Sequence, residues 1–444
     1  MNLKITSLIA LLVVSSTVFG QYELTATDAV FTALENNYQI LISEKQVDIA
    51  SKNNKWSEAG LFPTVDLVVG QNNTVQDNTN NPFTFTPGII LNQSINPSLS
   101  LNWNIFSGFR VKMSKLRLEQ LEEQSSNNAT AIIENTIQDV LKAYYTAQLQ
   151  KDRKILFADI MAISRKRFKY YELKEKYSSS NSLESLQFRN QYLTDSTNYL
   201  MQDISYQNSM RNLILLMNDS TLVDQDLILT DQIDVAIGDV DFNNAEDDMF
   251  SNNQNLKNQY ISLELQNTQT AIQRSFLYPT LSFQAGVNPG WSKIRDLKDS
   301  GLEIETQNLS YYGNLNLRYT LFNNWKNKRA VEVSKIQEEI AEMNVDNMKK
   351  SLSSTLQNLI DLYQVRSQLA SISQENLIYA EKAFNLAEER FDLGTINSID
   401  LANFQSTYQN TMIQHYENLF NKMDTYLEIY KMTGKIGLEY TNQK

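Results

Sequence analysis

The sequence predicts an α+β membrane protein built from one helix–strand–strand–helix unit used twice. Three observations carry that reading. First, Leu61-Phe62-Pro63-Thr64-Val65 recurs 216 residues on as Leu277-Tyr278-Pro279-Thr280-Leu281. The same offset pairs Asn36-Asn37 with Asn252-Asn253, Gly70 with Gly286, Leu99 with Leu315, Leu101 with Leu317 and Phe106 with Phe322. One offset held across a loop-rich region marks an internal duplication. Second, the helix breakers are confined. No proline lies between Pro97 and Pro279 or after Pro289, and no glycine lies between Gly108 and Gly238 or between Gly313 and Gly394. The breaker-free stretches are free to be long helices. Third, apolar and polar residues alternate beside each repeated junction, which is the period of a strand with one apolar face.

Residues 1–20 read as a secretory signal. Lys4 supplies the positive start, Ile5 to Phe19 the apolar run, and Val18-Phe19-Gly20 a small-residue cleavage site before Gln21. The run is too short to span a bilayer. The first repeat occupies 21–218, an Asp-rich linker 219–240, the second repeat 241–434, and a tail 435–444. Residues 21–26 are expected to be extended. Thr27 is the expected helix cap, with Asp28 favouring the N-terminus. A short helix then runs to Glu35, breaks at Asn36-Asn37, and a second helix runs from Tyr38 to Phe62. Its counterparts are Ala245–Phe250 and Asn255–Tyr278. Pro63 and Pro279 end these helices, because proline cannot continue one and pushes the preceding residue toward extended geometry.

Strands are expected over about 64–72, 98–106, 280–289 and 308–322. Leu99, Leu101, Trp103 and Ile105 alternate with Ser100, Asn102 and Asn104. Leu315, Leu317, Tyr319 and Leu321 alternate with Asn314, Asn316, Arg318 and Thr320. The connections, rich in Asn, Thr, Pro and charge, suit surface loops. A long helical hairpin follows each strand pair, over about 108–218 and 323–432. The outgoing arms, Gly108 to Tyr177 and Asn323 to Phe391, would each reach about 100 Å at the helical rise. In the last arm Leu401, Phe404, Tyr408, Met412, Tyr416, Leu419, Met423, Leu427 and Tyr430 form one narrow apolar stripe, as in a coiled-coil seam. Gly394 suits the left-handed helix end of the final turn, and Asn397 or Ser398 the next cap.

Composition excludes several classes. The formal charge is −12, which argues against nucleic acid as a partner. There is no Cys and one His, His415. That removes disulfides, Cys or His-cluster metal sites and most nucleophile–base pairs, so no catalytic, metal or cofactor site is expected. Four strands cannot close a barrel, for which about eight is the minimum. Aromatic residues near the strand ends (Trp103, Trp291, Tyr311, Tyr319) suit an outer membrane. Open edges cannot face lipid, so several chains must share one barrel. The alternative on pattern alone is a periplasmic α+β protein with a half-buried sheet; the alternative function is that of a non-channel structural or adhesive coiled-coil protein of the periplasm or cell surface.

The signal, the two-fold repeat, the Leu-aromatic-Pro-Thr junctions and the Phe391-Asp392-Leu393-Gly394-Thr395 turn, in this order and spacing, resemble the TolC-like outer-membrane efflux proteins over about 24–434. The resemblance implies a homotrimer whose protomers each give four strands to a twelve-stranded barrel and helices to a long periplasmic α-helical barrel. It implies a passive exit duct for efflux or type I secretion, embedded in outer-membrane lipid. Its partners would be a periplasmic adaptor (membrane fusion) protein and an inner-membrane transporter. Asp392, Leu393, Gly394 and Thr395 match the family's adaptor-contacting turn, with Ser179, Ser180 and Asn181 on the other tip as weaker counterparts. Asp400 matches an acidic ring at the periplasmic entrance. The second acid of that ring is Asn403 here, and Glu184 is the candidate on the other tip. Asn102, Asn104, Asn316 and Arg318 are the barrel-lumen candidates. Phe391 and Ile396 stand where some members carry Tyr and Arg, so a closing lock built on those two groups cannot form. Read without the resemblance, Gly394-Thr395 is a plain helix–helix turn and Asp400 a solvated first-turn acid.

Overall fold

A computed structural model of the chain describes residues 22–84, 87–177, 182–222, 227–233, 240–298 and 303–441. It divides into two compact units. Unit 1 holds the described residues up to Leu41, Ala131–Asn253 and Ser353 onward; unit 2 holds Ile42–Thr130 and Gln254–Leu352.

Unit 1 is helical. Its elements are β1 (Tyr22–Leu24), α1 (Ala26–Asn36), the first turn of α2 (Tyr38–Asn53), most of α3 (Arg110–Tyr177), α4 (Ser182–Met217), β4 (Leu227–Leu229), α5 (Phe242–Asn252), the later part of α7 (Lys326–Asp392), α8 (Ser398–Met432) and α9 (Lys435–Thr441). The duplication is visible in the starts: α1 and α5, α3 and α7, and α4 and α8 each begin 216 residues apart. The helix cap is Thr25, not Thr27. Its hydroxyl accepts from Asp28 N–H at 3.0 Å, and the Asp28 carboxylate answers it in a capping box. The repeated Asn-Asn breaks have a common cause. Asn37 Nδ2 donates to the Leu216 carbonyl, and Asn253 Nδ2 to the Met432 carbonyl, both at 3.0 Å. Each amide satisfies a carbonyl that the end of a long helix leaves without an intrahelical partner.

The core of this unit centres on Tyr144, which is fully buried among Leu24, Ile137, Val140, Leu213 and Met217. Its hydroxyl donates to the Leu24 carbonyl at 2.8 Å and accepts from the Thr230 and Asp231 amides at 3.1 Å each. The expected linker is therefore structured where described. β4 pairs in parallel with β1, and Lys151 Nζ holds the Leu229 carbonyl at 2.8 Å. The tail is structured too: α9 buries Ile436 completely. Both segments are short; β4 takes its backbone bonds from β1, and α9 is held by the burial of Ile436. The lone His415 is buried on α8 beside Ser373, with Nδ1 and Oγ 3.1 Å apart.

Unit 2 is organised on an antiparallel sheet of order β2-β3-β5-β6, made of β2 (Thr64–Asp77), β3 (Ile89–Ser107), β5 (Thr280–Asp296) and β6 (Glu303–Arg318). Around it lie the rest of α2, α6 (Gln254–Ser275) and the first parts of α3 and α7. The strands differ from the expected ranges. β2 continues to Asp77 and β3 starts at Ile89, because their pairing is unbroken from Thr64↔Asn102 to Asp77↔Ile89. β6 ends at Arg318, so Tyr319 and Leu321 are not strand residues. α2 stops at Asn53, well before Phe62. Asn54 leaves the helix with its amide oxygen held by Lys115 Nζ at 2.6 Å.

Both strand-to-helix junctions turn through two left-handed residues. These are Gly108 (φ 64) and Phe109 (φ 66) in one repeat, and Asn324 (φ 56) and Trp325 (φ 60) in the other. Left-handed aromatic residues are uncommon and strained. Here each packs edge-on against the ring three residues earlier, Phe109 on Phe106 at 5.4 Å and Trp325 on Phe322 at 5.9 Å.

Candidate functional site

Two regions carry the candidate residues. The first is the α7–α8 turn in unit 1. Gly394 sits at φ +71 with open space around the position a Cβ would take. The Thr395 amide and hydroxyl both donate to the Arg390 carbonyl at 2.9 Å. Asn397 caps α8, its side-chain oxygen taking the Ile399 and Asp400 amides at 2.9 Å each. Asp392, Leu393, Gly394 and Thr395 are all exposed, and Leu393 projects with 79% of its surface free. The turn thus leaves one large apolar side chain open to solvent.

Asp400 and Asn403 lie exposed on the first turns of α8. Glu184 occupies the same place on α4, one repeat earlier, and is half-buried. Burial, with the Glu184 charge second, raises the pKa of Tyr171. Ser179, Ser180 and Asn181 lie outside the described residues. Phe391 and Ile396 turn inward. Phe391 meets Phe188 at 5.9 Å and Tyr171 at 6.2 Å, and Ile396 packs with Phe384, Ala387 and Leu401.

Behind the turn is a polar cluster that the sequence alone does not announce. Asp195 of α4 is 2% exposed. It accepts from Ser164 of α3, from Gln191 Nε2 at 3.0 Å and from Gln405 Nε2 of α8 at 3.5 Å. Arg167 of α3 donates to Gln405 Oε1 at 2.7 Å and pairs with Glu388 of α7. Burial lowers the Arg167 pKa, and the Glu388 charge opposes that shift. The cluster joins all four long helices and borders a cavity of about 230 Å³ lined by Ser164, Arg167, Ser398 and Gln405 among others. These residues are scattered from 164 to 405, and only a three-dimensional arrangement brings them together.

The second region is the sheet of unit 2. Its register sorts the side chains onto two faces. Leu317, Leu315 and Tyr311 of β6 stand opposite Leu281, Phe283 and Val287 of β5. On β5, Phe283, Ala285 and Val287 stand opposite Trp103, Leu101 and Leu99 of β3, and these last two opposite Val65 and Leu67 of β2. One face is thus apolar across all four strands. The other carries Asn102, Asn104, Asn316 and Arg318 together, through partners Gln284, Ser282 and Thr280. Leu315 and Leu317 are exposed at 64% and 71%. The edge strands β2 and β6, of 14 and 16 residues, each leave one long side unpaired among the described residues.

These features define a class: a duplicated protein with a two-faced, open-edged sheet and long paired helical hairpins. Among the described residues no helix is long and apolar enough to cross a membrane. The family model for the outer membrane efflux protein matches residues 30–219 and 247–435, one match per repeat, and the chain belongs to that family. It is an outer-membrane efflux channel protein and not an enzyme. Solved structures share the fold. The Campylobacter jejuni CmeC outer membrane channel superposes with a TM-score of 0.76 at 14% identity, over 92% of this chain and 85% of that one. The open state of the Neisseria gonorrhoeae MtrE outer membrane channel gives 0.72 at 15% identity, over 92% and 88%. CusC gives 0.73 at 13% identity, over 92% of both chains. No curated protein matches this chain in sequence.

Proposed function

We propose that the chain is one protomer of a homotrimeric exit duct. Three four-stranded sheets close one twelve-stranded barrel in the outer membrane, and the long hairpins form a helical tunnel through the periplasm. The observation that carries this is the pair of bare edges. A strand edge exposes a row of unpaired amides and carbonyls, which lipid cannot satisfy. β6 of one copy can pair with β2 of the next, and closure by rotation removes every edge. The apolar face then meets lipid and the Asn102–Arg318 face lines the lumen. The ten rises from Leu281 to Trp291 on β5 cover about 34 Å along the strand; at a tilt of about 40° that is about 26 Å, the height of an outer-membrane apolar band.

The helices give a second line of support. Val365, Ile372, Tyr379 and Leu386 of α7 are 52%, 63%, 61% and 49% exposed and step by seven. Leu186, Leu193 and Leu200 of α4 do the same at 61%, 54% and 62%. Heptad stripes left open on a single chain are seams for a neighbouring helix. The structural or adhesive alternative accounts for such seams but not for the bare sheet edges.

The Asp392–Thr395 turn contacts a periplasmic adaptor, which couples the duct to an inner-membrane transporter. No nucleotide-binding motif is present in the sequence, so the driving energy is the partner's. The duct is passive, and its cargo is set by the pump it serves. Fractionation and planar-bilayer recording test the reading together. The chain is expected in the outer membrane, with the mass of three copies in detergent and a stable conductance. A monodisperse, detergent-free monomer would overturn it.

A further inference from the structure

Two prolines face one another inside the sheet. The β3–β5 ladder runs through Ile95↔Trp291 and resumes at Leu99↔Val287, which sets Pro97 opposite Pro289 with no paired residues between those points. Proline has no N–H, so neither residue can donate across the gap, and an interior strand seldom tolerates one. On the polar face the gap is filled: a Cβ on Gly290 would meet Asn308 Oδ1 at 2.2 Å and Asn96 Oδ1 at 3.4 Å. On the apolar face it is open. Ile95, Pro97, Pro289, Trp291 and Leu309, together with Gly290, Gln307 and Asn308, line a groove of about 450 Å³ there.

Charge begins at the groove's outer end. Two and four residues past Trp291, on the same face, lie Lys293 and Arg295, opposite Glu305 and Glu303. Lys293 Nζ pairs with Glu305 at 3.1 Å and with Glu303. The face thus passes from apolar to charge-balanced within about 7 Å. An acyl chain under a charged head group has the same sequence of chemistry.

We propose that this groove holds one acyl chain of a membrane lipid, its head group lying against the Lys293–Glu305 belt. The inference rests on the lipid-facing reading of the sheet given above. Other occupants fit less well. β3 and β5 are interior strands, so an added polypeptide strand finds no free edge. Water needs two to four polar partners; Gln307 and Asn308 bring polar atoms to the groove, but the other side chains that line it are apolar.

Tryptophan quenching by a phospholipid with brominated acyl chains tests it on the detergent-solubilised full-length protein. One form keeps only Trp291, with Trp56, Trp103 and Trp325 replaced by Phe. A second keeps only Trp103, which shares the apolar face but lies outside the groove. Trp291 is expected to be quenched saturably, near one lipid per chain, at a lipid ratio at least fivefold below that needed for Trp103. Ile95→Phe with Leu309→Phe, which fills the groove, is expected to bring the Trp291 curve onto that of Trp103. Coincident curves before any groove substitution mean ordinary surrounding lipid and overturn the groove alone. Absence of Trp103 quenching even in a fully brominated bilayer overturns the lipid-facing reading, and the groove's occupant with it.

Discussion

Phe391 and Ile396 decide what holds the tip. Both are drawn into the apolar cluster around Phe384 and Leu401, so the polar links at this end fall to Arg167, Glu388, Asp195 and Gln405. Asp400 is left exposed beside uncharged Asn403. In the proposed trimer three copies of Asp400 surround one axis, and like charges in a narrow ring favour cations. Asp400→Asn is expected to reduce cation selectivity and block by multivalent cations in single-channel recordings. Assembly should be unaffected, since a first-turn acid contributes about 0.3–1 kcal/mol locally. Unchanged selectivity would leave Asp400 as a helix acid and move attention to Glu184. The tyrosines make a separate prediction. Burial pushes the Tyr145 and Tyr440 pKa values up to about 12. The unfolded chain ionises near pH 10 and then holds fewer protons than the fold, so stability is complete below about pH 10 and falls as pH rises toward about 12. Denaturant midpoints between pH 9 and 12 should show this decline, and Tyr145→Phe should reduce its slope by about one proton.

At the scale of elements, the strand-to-helix junction is the most constrained point. Gly108 is left-handed, and a Cβ there would lie 2.3 Å from the Ser275 carbonyl oxygen. Gly108→Ala is expected to cost about 2 kcal/mol or more, from strain and displacement together. Gly313, with open space around it, should accept Ala within about 0.5 kcal/mol. Thermal unfolding of the two variants distinguishes these outcomes. The junction was legible in part. Pro63 and Pro279 announce where the strands begin, and the period-two alternation finds their inner halves. The outer halves of β2 and β3 were not legible, because Asn72, Asn73, Asn92 and Pro97 read as loop residues. Ladder pairing over the full strand length overrides those weak local preferences.

For the whole molecule the sheet's two faces are the decisive feature. Leu317 stands on the apolar face and Asn316 on the other. Leu317→Arg is expected to destabilise the proposed barrel by about 2–4 kcal/mol, whereas Asn316→Arg should change conductance more than stability. Cysteine labelling from the lumen at position 317 and not at 316 would reverse the faces. Membership of the efflux family accounts for the architecture, and the bare strand edges with the heptad seams are what support the proposed trimer.

The duplication, the long helices and the strand alternation could be read directly, because each is periodic and periodicity needs no knowledge of contacts. The α7–α8 turn was readable for the same local reason: glycine's tolerance of positive φ and asparagine's capping are properties of a few neighbouring residues. The Tyr144 hub, the Asp195 cluster, the pairing of β1 with β4 and the facing prolines belong to the tertiary structure alone. Their partners lie tens to hundreds of residues apart, and nothing in the local pattern of a hydroxyl, a carboxylate or a proline specifies which distant backbone it will meet.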